Sequence, residues 1–258
     1  MTGLSIDNIT AGYDGREIIS GIEFSIERGE FCALLGRNGS GKTTLFKSLC
    51  GLIKSYSGSF YVDDVDCTNL NERKRAQYIS YIPQRHSKLQ GVLVRDVVLM
   101  GYNPTLPLLA SPNKSEMAYA ENLVMQMELG ELADKDFSRL SEGQKQLIIL
   151  TRTLVQNAPV MLMDEPDSSL DFPNRHSVLA KIRDIIHQQN KVGLVTLHDP
   201  NFALEYCDKI VLIANGKLLG ELRPKTATEQ EVLTHLSKIY GNIDVLEHRG
   251  RFVVQMNC

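Results

Sequence analysis

GRNGSGKT, from Gly36 to Thr43, combines three glycines with a lysine and a hydroxyl at the spacing G-x-x-x-x-G-K-[ST] of a phosphate-binding loop. Gly36, Gly39 and Gly41 let the chain turn tightly, so that backbone N–H groups of the loop, which includes Asn38 and Ser40, converge on phosphate oxygens. Lys42 is placed to reach the β- and γ-phosphates of a nucleoside triphosphate. Thr43 offers a hydroxyl to Mg²⁺, and Thr44 a second hydroxyl to the α-phosphate. Further on, VMLMDEP, Val160 to Pro166, is an apolar run of strand length ending in two carboxylates. Asp164 would hold Mg²⁺ through its water shell, because this ion gives up water reluctantly. Glu165 would be the general base for an attacking water, with a neighbouring carboxylate and phosphate raising its pKa. Acidic pairs also end strands at ordinary turns, but with a phosphate loop upstream the pattern points to triphosphate chemistry.

Such groups need rigid elements behind them. FCALLG before the loop reads as a short buried strand and TTLFKSLCG after it as a helix whose positive end favours anions. VMLMD suits a central parallel strand whose C-terminal end meets the phosphate site, and VGLVTLH and KIVLIANG read as further buried strands. The opening through about Asp66 is β-rich, with strands at LSIDNIT and GSFYVDD and turns expected at GREIIS and ERGE. From about His86 to Ala158 the pattern is helical, and MAYAENLVMQMEL is spaced for one amphipathic face. The expected fold is α/β, a mostly parallel sheet with helices around it.

LSEGQKQ at Leu140 to Gln146, followed by a helix and then VMLMDEP, resembles the ATP-binding cassette of ABC transporters, over about Leu4 to Gly220. The resemblance implies a P-loop NTPase core with a mostly parallel sheet, an antiparallel β subdomain and a helical signature subdomain. Residues 1–258 would form one ATP-binding domain: about 1–85 and 159–220 the catalytic core with the β subdomain, about 86–158 the helical subdomain, about 221–258 a C-terminal extension. That extension could be a small domain, a dimer contact or plain packing. Tyr13 falls where the family stacks an aromatic ring on adenine. Gln84 in YIPQ matches the glutamine that senses Mg²⁺ and the γ-phosphate side, Ser168 to Asp171 resembles the D-loop, and His198 in TLHDP matches the histidine that contacts the γ-phosphate. Outside that register each of these is an ordinary packing or loop residue.

In the family the signature segment acts across a dimer. Ser141, Gly143 and Gln144, with a helix starting near Gln144, would present a hydroxyl, backbone N–H groups and a helix N-terminus to the γ-phosphate held by a second copy. Two ATP molecules would then be sandwiched head to tail with two-fold symmetry. Two positions depart from the usual pattern: Glu142 stands where glycine is commonest and Asp167 where threonine usually follows the proline. Both are expected to add negative charge near a phosphate site, with Glu142 pointing into solvent.

Composition bounds the partners. With 43% hydrophobic and 23% charged residues the chain is of ordinary globular type, and its net charge of −3 argues against a nucleic-acid-binding surface. NERKR, Asn71 to Arg75, is the densest basic cluster and reads as a solvated helix. Five cysteines, Cys32, Cys50, Cys67, Cys207 and Cys258, lack metal spacing and fit reduced thiols. No apolar run approaches the roughly 18 to 20 residues that span a bilayer, and the N-terminus lacks signal-peptide character. The resemblance therefore implies a peripheral subunit on the cytoplasmic face of the membrane, working with a separate pair of integral permease subunits and, indirectly, a substrate-binding protein. VRDVVLMG, HDPNFALEYCD, EVLTHLSKIYG and FVVQ resemble importers of iron–siderophore complexes, haem and cobalamin. Uptake of zinc, manganese or molybdate is the alternative. A non-transport ABC ATPase or a P-loop kinase fits less well: the interval from Lys42 to Asp164 is too short for a long coiled-coil insert, there is one P-loop, and kinases have no use for LSEGQ.

Overall fold

The computed structural model describes residues 2–84, 89–107, 109–168 and 170–257. Strands β1 (Thr2–Tyr13) and β2 (Arg16–Glu27) pair antiparallel around Asp14 and Gly15, whose φ values of 51° and 77° are those of a primed hairpin turn. GREIIS is therefore not a turn: only Gly15 turns, and Arg16 onward is strand, since two left-handed residues suffice to reverse the chain. ERGE does turn, with Gly29 at φ 74°.

A six-stranded sheet carries the chemistry. It comprises β3 (Phe31–Leu35), β6 (Ile79–Ile82), β7 (Val160–Asp164), β8 (Val192–Thr196), β9 (Lys209–Ala214) and β10 (Lys217–Leu222), in the order β10-β9-β3-β8-β7-β6. All pairings are parallel except β10 with β9. Every residue of β3, β7 and β8 is buried, which is why these strands read as unbroken apolar runs instead of alternating ones. Strands β4 (Ser55–Val62) and β5 (Val65–Asp66) extend the first hairpin into an antiparallel sheet of order β2-β1-β4-β5. Between the two sheets lies helix α1 (Lys42–Cys50), whose Leu45, Phe46 and Leu49 join Cys32 and Leu34 of β3 in one apolar cluster.

The opposite face of the large sheet, where Phe31, Ala33 and Leu35 point, is covered by helices. After the short α2 (Glu72–Arg75) come α3 (Val94–Leu99), α4 (Lys114–Gln126) and α5 (Glu142–Gln156), packed together. Helix α4 buries Ala120, Leu123 and Val124, and its N-terminus is closed by an Asn113–Glu116 capping box. Helices α6 (Phe172–Gln188) and α7 (Pro200–Tyr206) follow β7 and β8. Beyond β10, α8 (Glu229–Tyr240) buries Val232, Leu236 and Ile239 in the same cluster, and the hairpin of β11 (Ile243–His248) and β12 (Arg251–Met256) rests on α7 through hydrogen bonds between Asn201 and Val254. The tail is thus packed onto the core.

NERKR is only partly solvated. Arg75 is buried, donating to the carbonyls of Cys67 and Thr68, and Arg73 donates to those of Pro104 and Leu106. Cys32, Cys67 and Cys207 are buried and Cys50 nearly so, all as free thiols; Cys258 lies outside the described residues. Burial pushes the Cys50 thiol up to about 12. No helix among the described residues is long and apolar enough to cross a membrane.

Candidate functional site

Three adjacent strands, β3, β8 and β7, end side by side, and each hands its chain to a loop bearing reactive groups. After β3 the glycine-rich loop folds tightly. Gly41 has φ 106°, and a Cβ there would meet Ile19 Cγ2 at 2.4 Å; a Cβ on Gly36 would meet the Ile213 carbonyl at 2.3 Å. Only glycine fits either place. Lys42 curls back into the loop, its Nζ donating to the Gly36 carbonyl at 2.7 Å and the Arg37 carbonyl at 3.3 Å. Burial lowers the Lys42 pKa from its ordinary value, and the Glu165 and Asp164 carboxylates raise it part of the way back.

Asp164, at the end of β7, is 2% exposed and surrounded by hydroxyls. Thr43 Oγ1 donates to its Oδ2 at 2.9 Å, Tyr81 Oη to the same oxygen at 3.4 Å, and Thr196 Oγ1 to Oδ1 at 2.8 Å. Thr196 also accepts from the Glu165 backbone N–H at 2.8 Å, tying β8 to the turn after β7. Glu165 holds a left-handed backbone, φ 50°, a conformation that costs a non-glycine residue energy and gathers at functional sites. Its Oε1 lies 2.7 Å from His198 Nε2, and its Oε2 accepts from the Gln84 side-chain amide.

Around these groups lies a cavity of about 310 Å³, lined by Ile18, the loop from Asn38 to Thr44, Gln84, Glu165 and His198. A larger groove of about 1190 Å³, between the end of α1 and α2, carries none of these groups. Chemistry, not size, marks the smaller one. Ser40 Oγ is buried in the loop with no hydrogen-bond partner among the described residues, an orphan donor of the kind a phosphate oxygen would satisfy.

Several expected residues stand elsewhere. Tyr13, at the end of β1, does not line this cavity; the residue is 40% exposed, with Lys47 Nζ 5.9 Å from the ring centroid. Ser141, Gly143 and Gln144 are also outside it. The helix they open begins at Glu142, two residues before the expected start, because Ser141 and Gln144 form a capping box: Ser141 Oγ accepts from the Gln144 N–H at 3.3 Å and Gln144 Oε1 accepts from the Ser141 N–H at 3.1 Å. A Cβ on Gly143 would meet Leu170 Cδ2 at 3.2 Å, so this helix start packs beside Leu170. Asp171 caps α6, its Oδ1 accepting from the Asn174 N–H at 3.1 Å; Ser169 lies outside the described residues.

The two unusual acids stand in different settings. Glu142 is exposed and pairs with Lys145 at 2.8 Å. Asp167 is buried, one oxygen has no partner among the described residues, and burial raises its pKa, opposed by its own backbone N–H, Arg175 and His198. Sequence reasoning missed Tyr81 and Thr196, whose hydroxyls act only because β6 and β8 flank β7.

A glycine-rich loop between a buried parallel strand and a helix, facing a carboxylate pair at the end of the parallel strand two places away, defines a P-loop nucleotide-binding domain of α/β class. The pattern of the ABC transporter family matches residues 19–168, and the chain belongs to that family. It is 34% identical over 248 residues to an uncharacterized ABC transporter ATP-binding protein of Haemophilus influenzae, covering 95% of this chain and 92% of the relative. It is 32% identical to the hemin import ATP-binding protein HmuV of Shewanella denitrificans, covering 90% of this chain and 92% of that one. A solved ABC transporter of metal-chelate type, in an inward-facing conformation, superposes with a TM-score of 0.82 at 26% identity, over 99% of this chain and 96% of the other. The fold is that of an ABC ATPase, and the chain is the ATP-binding, ATP-hydrolysing part of a transporter.

Proposed function

We propose that this chain drives import of a metal chelate of the iron–siderophore, haem or cobalamin kind through a separate pair of integral permease subunits, sitting peripherally on the cytoplasmic face of the membrane. The supporting observation is the near full-length likeness to the hemin import protein and to the metal-chelate transporter. A substrate-binding protein would deliver the cargo, which this chain does not touch.

In this reading the loop from Gly36 to Thr44 holds the triphosphate of ATP. Lys42 exchanges two backbone carbonyls for phosphate oxygens, and the orphan Ser40 hydroxyl gains an acceptor. Mg²⁺ fits the donors present. Among the described residues no three His, Cys, Asp or Glu side chains cluster to make a protein cage, whereas Thr43, which lines the cavity, and Asp164 meet at 2.9 Å, a hydroxyl and a single carboxylate, the few direct protein donors that Mg²⁺ prefers. Bound there, the ion would offset charge on the phosphates. Glu165 takes the proton from the attacking water, with Gln84 and His198 orienting its two oxygens. Tyr13 would stack on adenine.

Ser141, Gly143, Gln144 and Asp171 complete the site from a second copy. That none of them lines its own chain's cavity supports this assignment. Closure around two ATP molecules would turn the permease, and hydrolysis would release it.

Extraction of the tagged chain from its native membranes in mild detergent, with mass spectrometry of what stays bound, tests the proposal. A polytopic membrane partner is expected. Recovery with soluble proteins, ribosomes or DNA alone would refute it.

A further inference from the structure

We propose that two residues outside the phosphate-binding groups of either motif set the strength of the dimer: Glu142 of one copy forms an ion pair with Arg37 of the other, twice per dimer. The inference rests on the head-to-tail sandwich described above and adds the charge pair that holds its rim.

Arg37 is the second residue of the glycine-rich loop. Its carbonyl turns inward to accept from Lys42 Nζ at 3.3 Å, while its side chain is exposed at the rim beside Asn38 and Gly39, which line the cavity. Among the described residues that guanidinium has no hydrogen-bond or ion-pair partner. Whatever closes over the cavity meets it. Glu142 is the first residue of α5, directly after Ser141, and its side chain is 57% exposed. Lys145, only 18% exposed, holds Oε1 at 2.8 Å, so the carboxylate is anchored on its inner side and free on its outer one.

When the start of α5 in one copy approaches the loop of the other, an unpaired carboxylate there would repel the phosphates. With Lys145 on one side and Arg37 of the other copy on the other, the rim becomes a cation–anion–cation row of net positive charge. An acid at this position then favours closure instead of opposing it, and chains lacking either charge make poorer partners. Exposed pairs are each worth up to about fivefold in an equilibrium constant, and at about threefold each two symmetric pairs multiply to roughly tenfold.

The test uses the full chain carrying Glu165→Gln, with the dimer dissociation constant measured by sedimentation at saturating ATP and the ATP affinity of each variant measured separately on the monomer. Arg37→Glu and Glu142→Arg are each expected to weaken the dimer about tenfold or more, and the combined variant to return to within about threefold of the parent. Raising the salt from about 0.05 to 0.5 M should shrink these differences. If the parent dimerises but the single changes have no effect, or the double change is as weak as the product of the singles, the pair does not form. If the Glu165→Gln parent stays monomeric with ATP, the sandwich itself is wrong and the pair falls with it.

Discussion

His198 Nε2 lies 2.7 Å from Glu165 Oε1, while the Gln84 amide takes the other oxygen of the same carboxylate. Loops from three separate parts of the chain thus fix one acidic group at the mouth of the phosphate cavity. A carboxylate so held can face one direction only, which is what a base acting on a single water needs.

Replacing Glu165 by Gln is expected to lower kcat by about 10² to 10⁴ while leaving ATP binding intact, as steady-state turnover and calorimetric titration would show. Near-normal turnover would remove Glu165 from the role of base. His198→Ala should lower kcat less, because Gln84 still orients the carboxylate.

Lys42→Ala should weaken ATP binding by roughly 10- to 100-fold, the worth of a charge-assisted hydrogen bond set. The folded state should be little harmed, since Lys42 now donates only to loop carbonyls. Calorimetry and thermal melting separate the two effects.

Thr196→Val should cost about 1–3 kcal/mol in denaturant unfolding, because the Glu165 N–H loses its acceptor and Asp164 Oδ1 loses a donor in a buried setting. The same change should weaken Mg²⁺ dependence of turnover, a readout that loss of stability alone would not move.

Asp167 predicts a pH effect with a definite sign. Its pKa is raised in the folded chain by burial, so the folded state favours the protonated form. Its contribution to stability is then fully present below the ordinary aspartate value of about 3.9 and is lost as pH rises through the folded value. Asp167→Asn should therefore raise Tm at pH 7 and give no gain well below pH 4. An equal gain at both pH values would contradict burial as the cause.

The glycine-rich loop, VMLMDEP and the signature were legible because each is a continuous string whose spacing dictates its local geometry. Asp14 and Gly15 hid the first hairpin: a primed turn needs only those two residues, so GREIIS looked like a loop although Arg16 onward pairs with β1. The start of α5 was written in the sequence as Ser141-x-x-Gln144, a capping box that places the first helical residue at Glu142. Tyr81 and Thr196 could not be found that way. Their hydroxyls reach Asp164 only through strand order, and strand order is set by packing across the whole sheet. Burial of Asp167 was hidden for the same reason.

The most direct test places the chain and its copurified permease in lipid vesicles and follows ATP-dependent movement of haem or an iron–siderophore complex across the bilayer, with and without Glu165→Gln. The account predicts uptake with the native chain, none with the variant, and ATP hydrolysis lost in parallel. Chelate movement that ignores ATP, or that survives Glu165→Gln unchanged, would contradict it.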